Sequence, residues 1–392
     1  MQRTINQTLA RVARHRLAVM AGALALVLFA AGLAAGGQWR WAGSTQLDYL
    51  AVPTNDLPRS TTFDGFTTEL SLKAAVDVDD ALSAEVKLCY SCHGIEAGLA
   101  VADYTFNDQL SMRVGRFTPR FGDFPARHDP ANHRTSDKPL PYDMGRMLRL
   151  REWNMSVLPA PYVDNGVELV GTHELGESAT LEWAAYLIGG LRGSQDATDV
   201  DFIQSRSPDW YYVDNNSMPS AGGRIAMSLR GERRSLKFGI SGLYGSYDPA
   251  GDLPYLLLGV DLVWRMRSFT LRAEYLLRRQ EMSLGSSPAQ RFVYGPGADG
   301  NFDPVAIKDG FYVEAAMPVG PWEFVGRFDG MTRVGNVTAS SPLDDRSWIL
   351  RYTAATTYEV DRHLRWKFSG EFYTFSDFAS EVAVHTGVVA SF

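Results

Sequence analysis

The sequence predicts an all-β chain: a transmembrane antiparallel β-barrel of about 16 strands with long extracellular loops. Three observations carry this. From residue 62 onward, apolar and polar residues alternate with period two almost throughout. The alternating segments run to about ten residues or more, where strands of a soluble sandwich usually have five or six. They are joined alternately by tight links ("RGERRS", "RMRS", "PVGP", "EVDRH") and by long polar stretches. Short turns at one end and long loops at the other mark a barrel that crosses a membrane.

Residues 1–16 carry Arg3, Arg11, Arg14 and Arg16 and no acid, and "LAVMAGALALVLFAAGLAAGG" follows. A charged start, an apolar run and a small-residue end read as a signal peptide over 1–35. The apolar run is also about long enough to serve as a membrane anchor. Either takes the chain out of the cytoplasm. The formal charge of -7 and the lack of a basic tract exclude a nucleic-acid partner. Residues 36–61 are read as an N-terminal periplasmic or plug segment, and 62–392 as the barrel. Fifteen strands are counted there, whereas single-chain bacterial barrels are usually even, so a further strand is sought within 44–60.

The alternation is plain in 363–373, "HLRWKFSGEFY". Leu364, Trp366, Phe368, Gly370 and Phe372 share one face; His363, Arg365, Lys367, Ser369, Glu371 and Tyr373 share the other. In 268–278, Phe269, Leu271, Ala273, Tyr275 and Leu277 oppose Thr270, Arg272, Glu274 and Arg278. The pattern recurs at 64–78, 83–90, 95–104, 107–117, 166–175, 178–189, 222–230, 234–246, 254–265, 309–318, 320–330, 345–359 and 379–392. Trp264, Tyr275, Trp322, Trp348, Tyr358 and Trp366 near segment ends fit aromatic girdles. In hydrocarbon every backbone polar group needs a partner, so the sheet must close.

The final segment, "EVAVHTGVVASF", sets Val382, Val384, Val388 and Ala390 on one face and ends in Phe392. It resembles the C-terminal strand of bacterial outer-membrane proteins, and 62–392 resembles a porin-type barrel in pattern. The resemblance implies the outer membrane of a Gram-negative bacterium, lipid around the wall, small solutes as cargo and periplasmic termini. A soluble secreted β-protein is the competing reading. Counting back from Phe392 puts 331–344, 282–308, 247–253, 190–221 and 118–165 outside the cell, and the turns near 104–108 and 78–82 in the periplasm.

Arg113, Arg272, Arg327, Arg351, Arg365 and Lys367 fall on the lumen face and are expected to line the pore. Asp261, Glu274, Glu323, Asp329 and Glu371 oppose them. A basic excess favours anions; mixed charges that satisfy one another across a packed lumen are the alternative. Segment 118–165 is too long for a plain connection. Rich in proline, aromatics, Met and His, it is expected to be ordered as a lid or plug.

The stretch "KLCYSCHGIE" holds both cysteines of the chain. Cys89, Cys92 and His93 match the C-x-x-C-H pattern of haem c attachment. Two thiols add to the porphyrin vinyl groups and His93 becomes the axial ligand of the haem iron, so one covalent haem c is expected. Opposite parity keeps both cysteines off one strand face, which puts the motif at a turn or bulge. A hairpin disulfide, or a metal site short of ligands, competes. The strand count puts 89–94 at the same end as 118–165, where His128, His133, Met144, Met147 and Met155 offer a second axial ligand. His133 or His128 comes first, with Met144 as the alternative. His173, His363 and His385 are read as lumen or interface residues, and "DGNFD" (299–303) as a turn.

The expected function is a porin-like outer-membrane barrel whose haem takes part in electron transfer or haem-based ligand sensing. Periplasmic or extracellular cytochromes would be its partners, because one haem cannot bridge about 30 Å of hydrocarbon. The alternative is a haem-free general or anion-preferring diffusion porin with a Cys89–Cys92 disulfide. No catalytic motif occurs, and enzymatic activity is not expected beyond haem-dependent redox chemistry.

Overall fold

Long alternating segments can satisfy their backbone only by pairing with one another, and in this chain they pair in strict sequence order. The computed structural model describes residues 37–53, 65–91, 94–143, 156–193, 213–282, 300–335 and 344–392. The strands are β1 (Gln38–Ala51), β2 (Gly65–Asp77), β3 (Leu82–Ser91), β4 (Gly94–Asn107), β5 (Leu110–Phe117), β6 (Asp164–Glu174), β7 (Ala179–Ile188) and β8 (Ser220–Gly231). They continue as β9 (Arg234–Ser246), β10 (Pro254–Met266), β11 (Phe269–Glu281), β12 (Val305–Val319), β13 (Trp322–Val334), β14 (Arg346–Glu359), β15 (Leu364–Phe375) and β16 (Glu381–Ser391). Each is antiparallel to the next, and β1 closes the barrel on β16 from Ser44↔Ser391 to Ala51↔Val384.

The strand that makes the number even overlaps the span 44–60 in which it was sought, but begins earlier. Gln38–Ala51 was assigned to a periplasmic or plug segment, yet it is β1. Its alternation is present, with Leu47 and Tyr49 outward and Ser44, Gln46 and Asp48 buried inward. Gly43 and Thr45 interrupt the outward apolar row between Trp41 and Leu47, so the usual strand signal is weak. The signal-peptide expectation for 1–35 lies outside the described residues.

The links sort by end. Residues 78–81, 108–109, 175–178, 232–233, 267–268, 320–321 and 360–363 join strands at one end. Residues 52–64, 118–163, 189–219, 282–304 and 335–345 join them at the other, with shorter links at 92–93, 247–253 and 376–380. Gln38 and Ser391 both lie at the short-turn end.

Neighbouring outward residues form rows across the wall. Val313, Phe328, Tyr352, Phe372 and Val382 are paired consecutively across β12–β16, and all five are exposed. Leu258, Val260, Ile225, Phe238 and Ile240 continue the apolar surface over β8–β10. A water-soluble monomer rarely exposes contiguous apolar patches beyond a few hundred Å². A wall apolar outside and polar inside is the arrangement of membrane-spanning barrels.

The seam is tight. Gly43 and Phe392 exchange two backbone hydrogen bonds of 3.1 Å each. A Cβ on Gly43 would stand 2.6 Å from the Phe392 ring and 3.0 Å from Ser71 O. Gly43→Val should therefore cost about 1–3 kcal/mol by overpacking. The expected outcome is a lower melting temperature and a smaller fraction of heat-modifiable folded barrel on unheated gels; an unchanged transition would refute this packing.

Candidate functional site

Phe117 ends β5 at the long-loop end, and the chain then turns inward instead of outward. Residues 118–135 run down inside the barrel until Pro130, Ala131 and Arg134 meet residues near the short-turn end. The carbonyls of Pro130 and His133 accept from Lys367 Nζ at 2.6 and 2.7 Å. Ala131 O accepts from Arg365, and Arg134 O from Thr357. Short 3₁₀ turns at Phe124–Arg127 and Leu140–Tyr142 compact the two limbs. Residues 156–163 complete the return to β6, with Val157 O accepting from Arg278 at 3.2 Å.

Two acidic side chains receive the inserted backbone. Glu274 accepts from the amides of Asp123 (3.1 Å) and Phe124 (2.8 Å) and from the hydroxyls of Tyr142 (2.6 Å) and Tyr312 (2.5 Å). Asp329 accepts from the amide of Leu140 at 2.9 Å while pairing with Arg351 at 2.6 Å. Gly122 makes the approach possible. Its φ is +66°, and a Cβ there would meet Glu274 and Tyr142 oxygens at 2.5 Å. Phe124, Leu140, Tyr142, Val157 and Leu158 are buried in the core that fills the lumen.

The expected pore-lining residues divide. Arg113, Arg272, Arg327, Arg351, Arg365 and Lys367 all project inward, but four of them do not line open space. Arg327 donates to Thr135 Oγ1 at 2.6 Å and Asp137 O at 3.1 Å, and Arg351 to Lys138 O at 2.5 Å. Arg272 is buried near Asp123 and Glu314, and Lys367 lies under the loop tip. For these four the alternative of charges satisfied within a packed lumen describes the surroundings. A strand's parity gives inward direction and says nothing of what occupies the lumen.

Open space remains on the opposite side. A cavity of about 710 Å³ lies between the loop and the inner wall of β1–β5 and β7–β9. Its basic lining is Lys73, Lys87, Arg113, Arg120, Arg224, Lys237 and Arg365, against Glu85, Asp123, Asp129 and Glu182. Lys73 pairs with Glu85 at 2.7 Å, Arg113 with Asp103 at 2.7 Å, Arg224 with Asp261 at 2.5 Å, and Lys237 with Glu182. Arg120 is 3.7 Å from Glu168 with its side chain 43% exposed, and Arg365 donates to a neutral carbonyl. These two are the least neutralised cations of the cavity. Lys73, Arg120 and Arg224 escaped the sequence reading; Arg120 is on the loop, where no period assigns a face.

At the haem motif, β3 and β4 pair as far as Ser91↔Gly94, so the pattern straddles a hairpin link at the long-loop end. Cys92 and His93 lie outside the described residues, as do Met144, Met147 and Met155. Cys89 is half-buried and pairs across to Ser71 and Glu96, both buried inward. A Cβ on Gly98 would stand 2.9 Å from its sulfur. The loop does bring His128 to this strand, two residues along, but its ring is engaged. His128 Nδ1 is 2.6 Å from Pro125 O and Nε2 is 3.1 Å from Lys87 Nζ, which binds Asp129 at 2.6 Å. His133 Nδ1 is 2.9 Å from Thr135 O, with the ring buried beside Phe124. Both ring nitrogens of His128 and Nδ1 of His133 are thus already in contact with polar groups of the loop and Lys87. His385 faces the lumen; His363 lies in the 360–363 turn and donates through Nδ1 to Ser391 O.

Burial, reinforced by Lys87, pushes the His128 imidazole down to about 4. Burial and Lys367 likewise hold His133 well below its ordinary value.

No protein family and no curated protein matches the sequence. Solved structures share the fold at low identity. Salmonella typhi OmpF in complex with daunomycin superposes with a TM-score of 0.55 at 12% identity, over 91% of this chain and 98% of that one. The outer-membrane channel DcaP of Acinetobacter baumannii gives 0.53 at 13%, over 91% and 97%. The anion-selective porin from Comamonas acidovorans gives 0.52 at 12%, over 91% and 100%.

Two predictions follow from the docked loop. Glu274→Ala strands two amides and two hydroxyls at roughly 1–3 kcal/mol each. Limited proteolysis of the folded variant should cut within 118–143, where wild type is expected to resist; equal resistance would show that Glu274 does not hold the loop. For pH, both imidazoles have folded values below their ordinary one. The undocked loop therefore binds more protons as pH falls from about 6.5 toward 4, and acid favours undocking. Protease susceptibility should rise from pH 7 to pH 5, and His128→Gln should remove about half of that rise.

Proposed function

We propose that the chain is a porin-like diffusion channel of the bacterial outer membrane, carrying small solutes with a preference for anions. The single observation behind this is the cavity beside the inserted loop. Seven cationic side chains line it against four carboxylates, and the two least neutralised, Arg120 and Arg365, are cationic. Cationic side chains lining a narrow aqueous path offer donors where an anion sheds part of its hydration. The apolar outer wall and polar lumen support a membrane setting, and the neighbours in fold include outer-membrane channels. A path confined to this cavity would suit small solutes and exclude folded macromolecules.

A second reading retains a covalent haem at Cys89, Cys92 and His93. What favours it is the motif itself, placed at a hairpin end with Cys89 facing inward. Electron transfer or ligand sensing, and cytochrome partners, would belong to that reading. The two readings separate cleanly. A pyridine haemochrome spectrum and haem staining of denatured protein from cells competent in haem attachment should both be negative; a positive result lost in Cys89→Ala would establish the haem.

In planar bilayers the purified protein should open small channels whose reversal potential in a KCl gradient lies on the chloride side. Lys73→Glu with Arg120→Glu should move that potential toward potassium by several-fold in permeability ratio. A silent barrel, or a selectivity untouched by both substitutions, would overturn the channel reading.

A further inference from the structure

Beneath the loop, where β15, β16 and β1 meet, four side chains from four parts of the chain converge. His385 of β16 sets Nδ1 3.2 Å from Asp48 Oδ2 of β1. Its Nε2 is 3.3 Å from Asp137 Oδ2 on the loop and 3.4 Å from Glu371 Oε2 on β15. All four residues are at most 3% exposed. Their chemistry is that of a metal centre: one imidazole nitrogen and two carboxylate oxygens, all within 4.8 Å of one another.

The two sides of the ring differ. Nδ1 is hydrogen-bonded to Asp48. Nε2 makes no hydrogen bond of acceptable geometry, although two oxygens are close. That separation has a meaning for a metal. Bonds of about 2.05 Å arranged tetrahedrally place ligand atoms about 3.35 Å apart, and both Nε2–oxygen distances match. Asp48 on the far nitrogen then completes the carboxylate–histidine–metal arrangement, which fixes the tautomer and orients the ring.

Charge points the same way. Asp48, Asp137, Asp143, Asp329 and Glu371 share this buried region with Arg327 and Arg351, whose guanidinium nitrogens lie 2.6 to 3.7 Å from their partners. A buried site of this kind holds charge that is costly until it is balanced. The Tyr373 hydroxyl donates to Glu371 Oε2 at 2.6 Å, which leaves that oxygen a further lone pair.

The geometry points to a binding site for one divalent transition ion formed by His385, Asp137 and Glu371, with Asp48 as a positioning residue. Mixed nitrogen and oxygen donors, with both nitrogen–oxygen spacings at the tetrahedral value, suit zinc. The ion joins the loop, through Asp137, to two strands beside the seam. It is a staple for the inserted loop, and it does not depend on what the barrel conducts. The competing occupant of the same space is a proton, giving an imidazolium at Nε2.

The test uses full-length barrel stripped of metal by chelator under denaturing conditions and refolded. With Zn²⁺ alone, uptake of one ion per chain is expected, retained through gel filtration and released slowly to chelator because the site is buried. Co²⁺ should give the intense visible bands of tetrahedral coordination. Asp137→Asn, a loop substitution that leaves the wall intact, should weaken uptake at least tenfold, and His385→Gln more. If His385→Gln does not fold, Asp137→Asn decides. No stoichiometric uptake by wild type, or equal uptake in Asp137→Asn, would overturn the site and leave the imidazolium.

Discussion

The structure depends on one constraint: in hydrocarbon no strand can leave its edge unpaired. The pairing of β1 with β16 meets it. Eight register pairs from Ser44↔Ser391 to Ala51↔Val384 turn an open sheet into a tube. Closure makes the strand number even, sends long links and short turns to opposite ends, and gives every strand one wall facing outward and one facing in. Only after that are there a lumen and a polar inner face that something must satisfy.

What satisfies it is chiefly one segment of the chain. Inward-facing Glu274, Arg327, Asp329, Arg351 and Lys367 are buried, and an ion taken from water without compensation costs several kcal/mol. The inserted loop supplies that compensation with its own backbone: amides toward the carboxylates, carbonyls toward Arg and Lys. A proline-rich segment suits this role. It presents many carbonyls and few amides, matching a wall region where guanidinium and ammonium donors cluster. On the other side of the lumen the wall charges pair mostly among themselves, and the remaining space stays open and mildly basic.

The strands were legible because period two survives the change of solvent; lipid outside and polar lumen inside only invert the usual sense of the alternation. β1 was legible only as a strand to be sought within 44–60, because Gly43 and Thr45 break its outward apolar row. Which way Arg351 or Lys367 points was also legible. What each meets was not, since the path of 118–163 through the lumen is set by tertiary contacts such as Phe124 N to Glu274, 150 residues apart. The same limit applies to the histidines. "RHDPANH" suggested ligands for an iron, whereas Nδ1 of His128 and of His133 meets a loop carbonyl and Nε2 of His128 meets Lys87. His385, read only as a lumen or interface residue, stands in the densest cluster of ionisable groups, assembled from residues 48, 137, 371 and 385.

The anchors of the inserted loop are unevenly distributed along the chain. Glu168, Ser241, Glu274, Tyr312, Arg327, Asp329, Arg351, Lys367 and Ser369 all follow it in sequence; in the N-terminal quarter, Lys87 is its direct partner. Among the described residues, a curved sheet of β6–β16 therefore already holds most of the hydrogen-bonding anchors named for the loop. Chain geometry then gives the segment a role in construction: it can seat as a former against the concave face, and β5 back to β1 can wrap around it last. A barrel built that way encloses its own contents instead of having them pushed in through a finished mouth.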